Sequence, residues 1–98
     1  MAAKNENVPS PRGIWTTLND SAITAATVEN LKETDLILMA TSGATPPADG
    51  NASGIRLKGG QGIKSSDTLA VLFPGVTSPD YIHSLSLSLD GEAFISHA

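Results

Sequence analysis

Apolar and polar residues alternate most strictly near the end of the chain, where Leu85-Ser86-Leu87-Ser88-Leu89 runs with a period of two. That period marks a strand with one covered face. Asp90-Gly91 follows, and Glu92-Ala93-Phe94-Ile95-Ser96 leads away from it. The pattern predicts a β-hairpin closed by a two-residue type I′ turn, whose positive φ angles Asp-Gly adopts readily. In that register Leu87 faces Phe94 and Leu89 faces Glu92, with the leucines inward and the serines in solvent. Upstream, Asp35-Leu36-Ile37-Leu38-Met39-Ala40 is a continuous apolar run of strand length, which predicts a central strand covered on both faces.

The remaining pattern adds shorter elements. Gly13-Ile14-Trp15-Thr16-Thr17-Leu18 reads as a first strand closed by the turn signal Asn19-Asp20-Ser21. Ala22 to Val28 reads as a second, although Ala25 and Ala26 with Glu29-Asn30-Leu31-Lys32 fit a short helix equally well. Thr41 to Gly54 is dense in Gly, Pro, Ala, Asn and Ser and predicts a long surface loop. Ile55 and Leu57 alternate with Arg56 and Lys58 in a short strand that ends at Gly59-Gly60-Gln61-Gly62. Thr68 to Phe73 is another strand-length apolar run, stopped by Pro74-Gly75. No internal repeat and no long periodic helix is present. The fold class expected is all-β, a small β-sandwich or β-barrel of six to seven short strands.

The first residues break this pattern. Met1 to Arg12 is polar, and Pro9 and Pro11 oppose both helix and strand pairing while favouring an extended course. The expected organisation is an extended N-terminal arm over 1–12, either laid along a neighbouring molecule or frayed in solvent, followed by a single β domain over 13–98.

Composition narrows what such a domain does. A chain of 98 residues has room for one modest core, and its four aromatics (Trp15, Phe73, Tyr81, Phe94) leave that core to aliphatic side chains. A thin core of this kind is often supplemented by oligomerisation. The absence of cysteine removes disulfide staples and thiolate metal sites. No run approaches the ~20 apolar residues of a membrane span, and Met1-Ala2-Ala3-Lys4-Asn5-Glu6 lacks the apolar stretch of a signal peptide. The expectation is a soluble protein made in the cytoplasm, with no membrane partner. A net charge of -4 argues against general nucleic-acid binding, which requires a basic stripe to displace counterions. Arg56, Lys58 and Lys64 form only a local basic cluster.

No motif marks catalysis, metal or cofactor binding. Gly59-Gly60-Gln61-Gly62-Ile63-Lys64-Ser65 imitates a phosphate loop, but Ile63 separates the last glycine from Lys64 and no helix pattern follows. Ser84, His83 and Asp80 are the raw material of a hydrolytic triad without any mark of an oxyanion hole. Asp49-Gly50-Asn51 lacks the spaced acidic ligands of a calcium loop, and Asn51-Ala52-Ser53 is a glycan acceptor pattern without a secretion signal. Trp15 reads as a core plug in preference to an interface anchor, because indole burial adds much area to a thin core. The chain is expected not to be an enzyme, with no catalytic, cofactor-binding or metal-ligating residues.

The stretch from Asp35-Leu36-Ile37-Leu38-Met39-Ala40, through Ala44-Thr45-Pro46-Pro47 and Gly54-Ile55-Arg56-Leu57-Lys58-Gly59-Gly60-Gln61-Gly62-Ile63, to Thr68-Leu69-Ala70-Val71-Leu72-Phe73-Pro74-Gly75 resembles small virion proteins of tailed bacteriophages. Among these it is most similar to capsid decoration, or cement, proteins. The resemblance implies a compact β-fold, a major capsid protein as partner, self-association as a homotrimer at local threefold positions, and location on the capsid surface. The alternative it implies is a tail, neck or fibre component acting as an attachment module for a receptor or glycan, displayed by the Thr41 to Gly54 loop. Candidate capsid or subunit contacts are Val8, Pro9, Pro11, Arg12, Trp15, Arg56 and Lys58.

Overall fold

A computed structural model describes residues 3–48 and 50–98. Eight strands follow in order: β1 (Lys4–Ser10), β2 (Thr16–Thr17), β3 (Thr27–Asn30), β4 (Leu36–Thr41), β5 (Ile55–Leu57), β6 (Gly62–Ile63), β7 (Tyr81–Ser86) and β8 (Gly91–His97). A single helical turn, α1 (Leu69–Leu72), precedes β7. The strands form two antiparallel sheets of four, ordered β1-β8-β3-β6 and β2-β7-β4-β5. Val28, Ile63, Ala93 and Ile95 from the first sheet meet Leu36, Leu38, Ala40, Leu57 and Ile82 from the second in one core. This is a β-sandwich-like, all-β fold, as the patterning predicts.

The central-strand expectation holds. β4 is flanked by β7 and β5, and Leu36, Ile37, Leu38 and Ala40 are buried with Met39 and Thr41 half-buried, so both faces of the strand are largely covered. Leu36, Leu38 and Ala40 point into the core, whereas Ile37 joins Trp15 and Leu85 on the outer face of the second sheet.

The predicted hairpin does not form. β7 pairs with β2 and β4, β8 pairs with β1 and β3, and the connection 87–90 arches from one sheet to the other. Neither Asp90 nor Gly91 has a positive φ, so no type I′ turn exists here. The inward and outward assignments reverse as well. Ser84 and Ser86 are fully buried between the sheets, where the Ser84 hydroxyl meets that of Ser10 at 2.8 Å, while Leu85 packs on the outer face and Leu89 is 65% exposed. Period two identifies two faces but not which of them is dry, and here both are covered. The glycine is required by close approach: a Cβ at Gly91 would collide with the Ser86 hydroxyl.

Two further expectations are corrected. Residues 4–10 of the arm are extended but not free: β1 pairs along its length with β8, with Pro9 opposite Glu92 and Val8 opposite Ala93. β1 is an edge strand, and an edge position tolerates proline because only one side of the strand makes ladder bonds. Thr68–Phe73 is not a strand. Thr68 caps α1 by accepting the Val71 N–H on its hydroxyl, and the run then ends at Phe73, whose N–H reaches the Leu69 carbonyl. A short apolar run carries no periodicity that separates a buried strand from one helical turn. The alternative helix through Ala25 and Ala26 is absent, since Thr27–Asn30 is β3.

Candidate functional site

Strand register sorts the loops into two sets. The connections 11–15, 31–35, 58–61 and 87–90 are short and lie at one end of the sandwich, next to the paired residues Leu36 and Ser86, and Ser10 and Gly91. The long connections leave the opposite end.

Buried polar side chains lace the short loops together. Asn30 sits in β3 with Val28, and its side-chain N–H groups donate to the carbonyls of Thr34 and Leu57 at 2.8 and 3.0 Å. Its Oδ1 accepts from the Lys32 N–H at 3.1 Å, and its own carbonyl accepts from Gly60 at 2.9 Å. One asparagine therefore binds the 31–35 loop to the 58–61 turn. Thr34 continues the lacing, because its hydroxyl accepts from the Ser88 and Leu89 N–H groups at 3.3 Å. Asp90 then reaches the fourth loop through its carboxylate, which accepts the Arg12 N–H at 3.0 Å, while Gly13 donates to the Ser86 carbonyl at 2.9 Å. Asn30 is fully buried, and its bonds to the Thr34 and Leu57 carbonyls are strengthened by the low local dielectric. Loops held this way lose little entropy when a partner docks on them.

What this end presents is apolar at its tips. Ile14, Leu31 and Leu89 are three of the four exposed large hydrophobic residues among the described ones, at 51%, 37% and 65% exposure, and each stands on a different laced loop. Val71, the fourth, lies on α1. Sequence reasoning missed all three tips: Leu89 and Ile14 read as strand interior, and Leu31 carries no distinguishing signal. Asn30 stood in the sequence only as part of the short-helix alternative that runs to Lys32.

The seven candidate contacts do not converge on one surface. Pro11 and Arg12 are exposed at the laced end, beside Leu89 and Asp90. Val8 packs partly against the core, and Pro9 is exposed on the β1 edge. Arg56 and Lys58 belong to β5 and the turn after it, at the edge of the other sheet; Arg56 reaches Asp35 at 3.6 Å. Trp15 is 4% exposed and fills the outer face of the second sheet, where its indole N–H donates to the Asn51 carbonyl at 2.8 Å. It is a plug and not an exposed anchor.

The groups considered for catalysis are dispersed or occupied. His83 and Ser84 are neighbours on β7 and so point to opposite faces. The Thr41 hydroxyl donates to the Gly43 carbonyl at 2.8 Å and accepts from His83 Nε2 at 2.7 Å, which leaves Nδ1 to accept from the Thr17 hydroxyl at 2.9 Å. Burial lowers the His83 pKa to about 4. Asp80 accepts the Gly43 N–H at 2.8 Å and borders a shallow groove of about 490 Å³ shared with Ala22, Thr24 and Thr68. Among the described residues no three His, Asp or Glu side chains gather, and no helix is long and apolar enough to cross a membrane. Asp49, the acidic member of the calcium-like turn, lies outside the described residues. Compared with family models, with curated proteins and with solved structures, the chain matches none.

Proposed function

We propose that this chain is a structural protein of the tailed-bacteriophage virion, a capsid decoration protein that docks on the assembled head shell and stabilises it without catalysis. Its partners are the major capsid protein and further copies of itself, assembled as a trimer. The observation that supports this reading is the laced end: a rigid platform of four short loops that exposes Ile14, Leu31 and Leu89 together with Pro11. A ligand that binds assembled subunits better than free ones stabilises the shell by mass action, and repeated weak contacts gain strength through effective concentration.

The attachment-module reading has less support. It requires an exposed aromatic side chain for stacking, and Trp15 is buried with its indole N–H bonded to Asn51 of the 41–54 loop, while Tyr81 is half-buried.

Co-sedimentation of the purified protein with phage shells that lack their decoration protein tests the proposal, alongside solution mass by light scattering. Saturable binding at a fixed ratio to the major capsid subunit, with a trimer mass, is expected. Absence of shell binding would overturn it. Deleting residues 3–10 is not a clean test of contact, because that deletion removes β1 from the first sheet.

A further inference from the structure

We infer that the groove beside Asp80 takes a lysine side chain presented by a partner polypeptide. It lies at the end from which the long connections leave, opposite the laced loops, so the inference stands apart from the docking role proposed for those loops.

The groove joins an apolar lining to a single charge. Ile23 and Pro79 are buried in it, Ala22 and Ala70 stand exposed on it, and no aromatic side chain narrows its volume of about 490 Å³. Such walls suit a slim aliphatic stem, which covers apolar surface with its methylenes and keeps a charged head at the polar end. Asp80 supplies that polar end as the only charged residue of the lining. Its Oδ1 accepts the Gly43 N–H at 2.8 Å, and among the described residues it forms no ion pair and its second oxygen has no partner. One unspent oxygen selects between the two basic side chains. An ammonium is a point charge that one oxygen satisfies, whereas a guanidinium fork is best met by both oxygens of a carboxylate.

The charges around the groove favour the same occupant. Lys4, Glu6, Asp20, Lys64, Asp67 and Asp80 stand at this end or on the strands that reach it, two cations against four acids. Lys4 is already held by Glu6 and Asp20 at 3.1 and 3.2 Å. The other four cations, Arg12, Lys32, Arg56 and Lys58, belong to the short loops or to β5, and Glu29 and Glu92 on the strands between only add negative charge. A cationic group is therefore drawn to this end, while a polyanion or an anionic membrane surface is repelled. Ser78 marks the groove by a separate feature. It is the one non-glycine residue with positive φ among the described ones, at 47° and directly before Pro79. Backbone held in that region without glycine concentrates at ligand clamps.

Amide NMR of the full chain, titrated with the capped tripeptide Ala-Lys-Ala, tests this. Shifts confined to residues 22–24, 68–70 and 78–80 are expected. The matching tripeptide with norleucine keeps the stem without the ammonium and should bind about fivefold more weakly, and high salt should weaken the lysine tripeptide towards it. Asp80→Asn should bring the two tripeptides level. Because that change also touches the Gly43 bond, Ala70→Trp serves as a second variant: it keeps Asp80, fills the groove from the exposed side of α1, and should abolish the shifts. Equal affinity of the lysine and norleucine tripeptides for wild type, shifts absent or scattered over both sheets, or binding unchanged in both variants would overturn the inference. Tighter binding of Ala-Arg-Ala would overturn the choice of lysine, and cadaverine binding as tightly as Ala-Lys-Ala would overturn a polypeptide as the source of the ammonium.

Discussion

The outer faces of the two sheets have the same geometry and opposite fates. On the second sheet, Trp15, Ile37 and Leu85 are buried on the side away from the core, with Met39 and Leu87 packed against them. The Thr41 to Gly54 loop crosses this face, held by the indole bond to Asn51 and by the seat of Gly54 against Ile37 and Leu38. On the first sheet, register places Asn5, Asn7 and Pro9 of β1, Glu92, Phe94 and Ser96 of β8, and Thr27 and Glu29 of β3 on the corresponding side. No element among the described residues covers them, and they are exposed or half-buried. A thin core whose one aromatic is Phe73 thus gains a second apolar layer on one side only, by folding a proline-containing loop over it. The difference teaches that this loop is a structural cover for one sheet, and that the bare sheet contributes little beyond its inward residues.

Removing the tryptophan should break the comparison most strongly. Trp15→Ala takes away the largest side chain of the covered face and leaves the Asn51 carbonyl without its donor, at a cost of about 3 to 4 kcal/mol. Urea denaturation followed by circular dichroism measures it. A loss under about 1 kcal/mol would mean that the loop does not hold the face closed.

Acid should act on the same face through His83, which is fully buried there between Thr17 and Thr41. Its folded pKa is lowered from 6.5 to about 4, so the unfolded chain takes up a proton first as pH falls. The contribution is fully present above pH 6.5, is lost progressively as pH falls from 6.5 to about 4, and levels off below that, for a total on the order of 3 kcal/mol. Unfolding free energies of wild type and His83→Gln across this window check the prediction. Parallel pH profiles for the two proteins would show that another group is responsible.

How far the molecule was legible in its sequence follows from the same residues. The run 35–40 was read correctly because a strand covered on both faces is apolar throughout, whereas the similar run 68–73 was misread because it is one helical turn. The Ile55–Leu57 strand and the 41–54 loop were read for equally local reasons, alternation and turn residues. Leu85 to Leu89 failed because sheet membership is not local. Ser84 and Ser86 are inward on account of Ser10 and Gly91 across the sandwich, and nothing in the alternation of leucine with serine announces those partners. β1 failed because proline was weighed against pairing without the edge position that accommodates it. The laced end was invisible for a further reason: its polar anchors, Asn30, Thr34 and Asp90, are common loop residues until three-dimensional proximity joins them.

A smaller effect sharpens the role of the loop itself. Gly54 has φ of 149° and sits so close to β4 that a Cβ would collide with the Leu38 carbonyl and approach Ile37. Gly54→Ala should therefore push the loop off the covered face and cost about 2 kcal/mol, through backbone strain and displaced packing together. The loosened cover should also raise quenching of Trp15 fluorescence by acrylamide. Unchanged stability with unchanged quenching would show that the loop adapts without releasing the tryptophan.

The smallest effect belongs to the bare sheet and completes the contrast. Phe94 is half-buried on β8, opposite Asn7 on one side and Glu29 on the other, so its ring rests on polar neighbours and one side of it meets water. Burial of part of a ring against such neighbours is worth a fraction of what full enclosure supplies, and no cavity is left behind when it is removed. Phe94→Ser should cost about 1 kcal/mol or less, several times below the loss at Trp15, even though both are aromatic residues on outward faces. A cost equal to that of Trp15→Ala would require something to cover the first sheet as well. In that case the protein would be more stable at high than at low concentration, because the cover would come from a second copy.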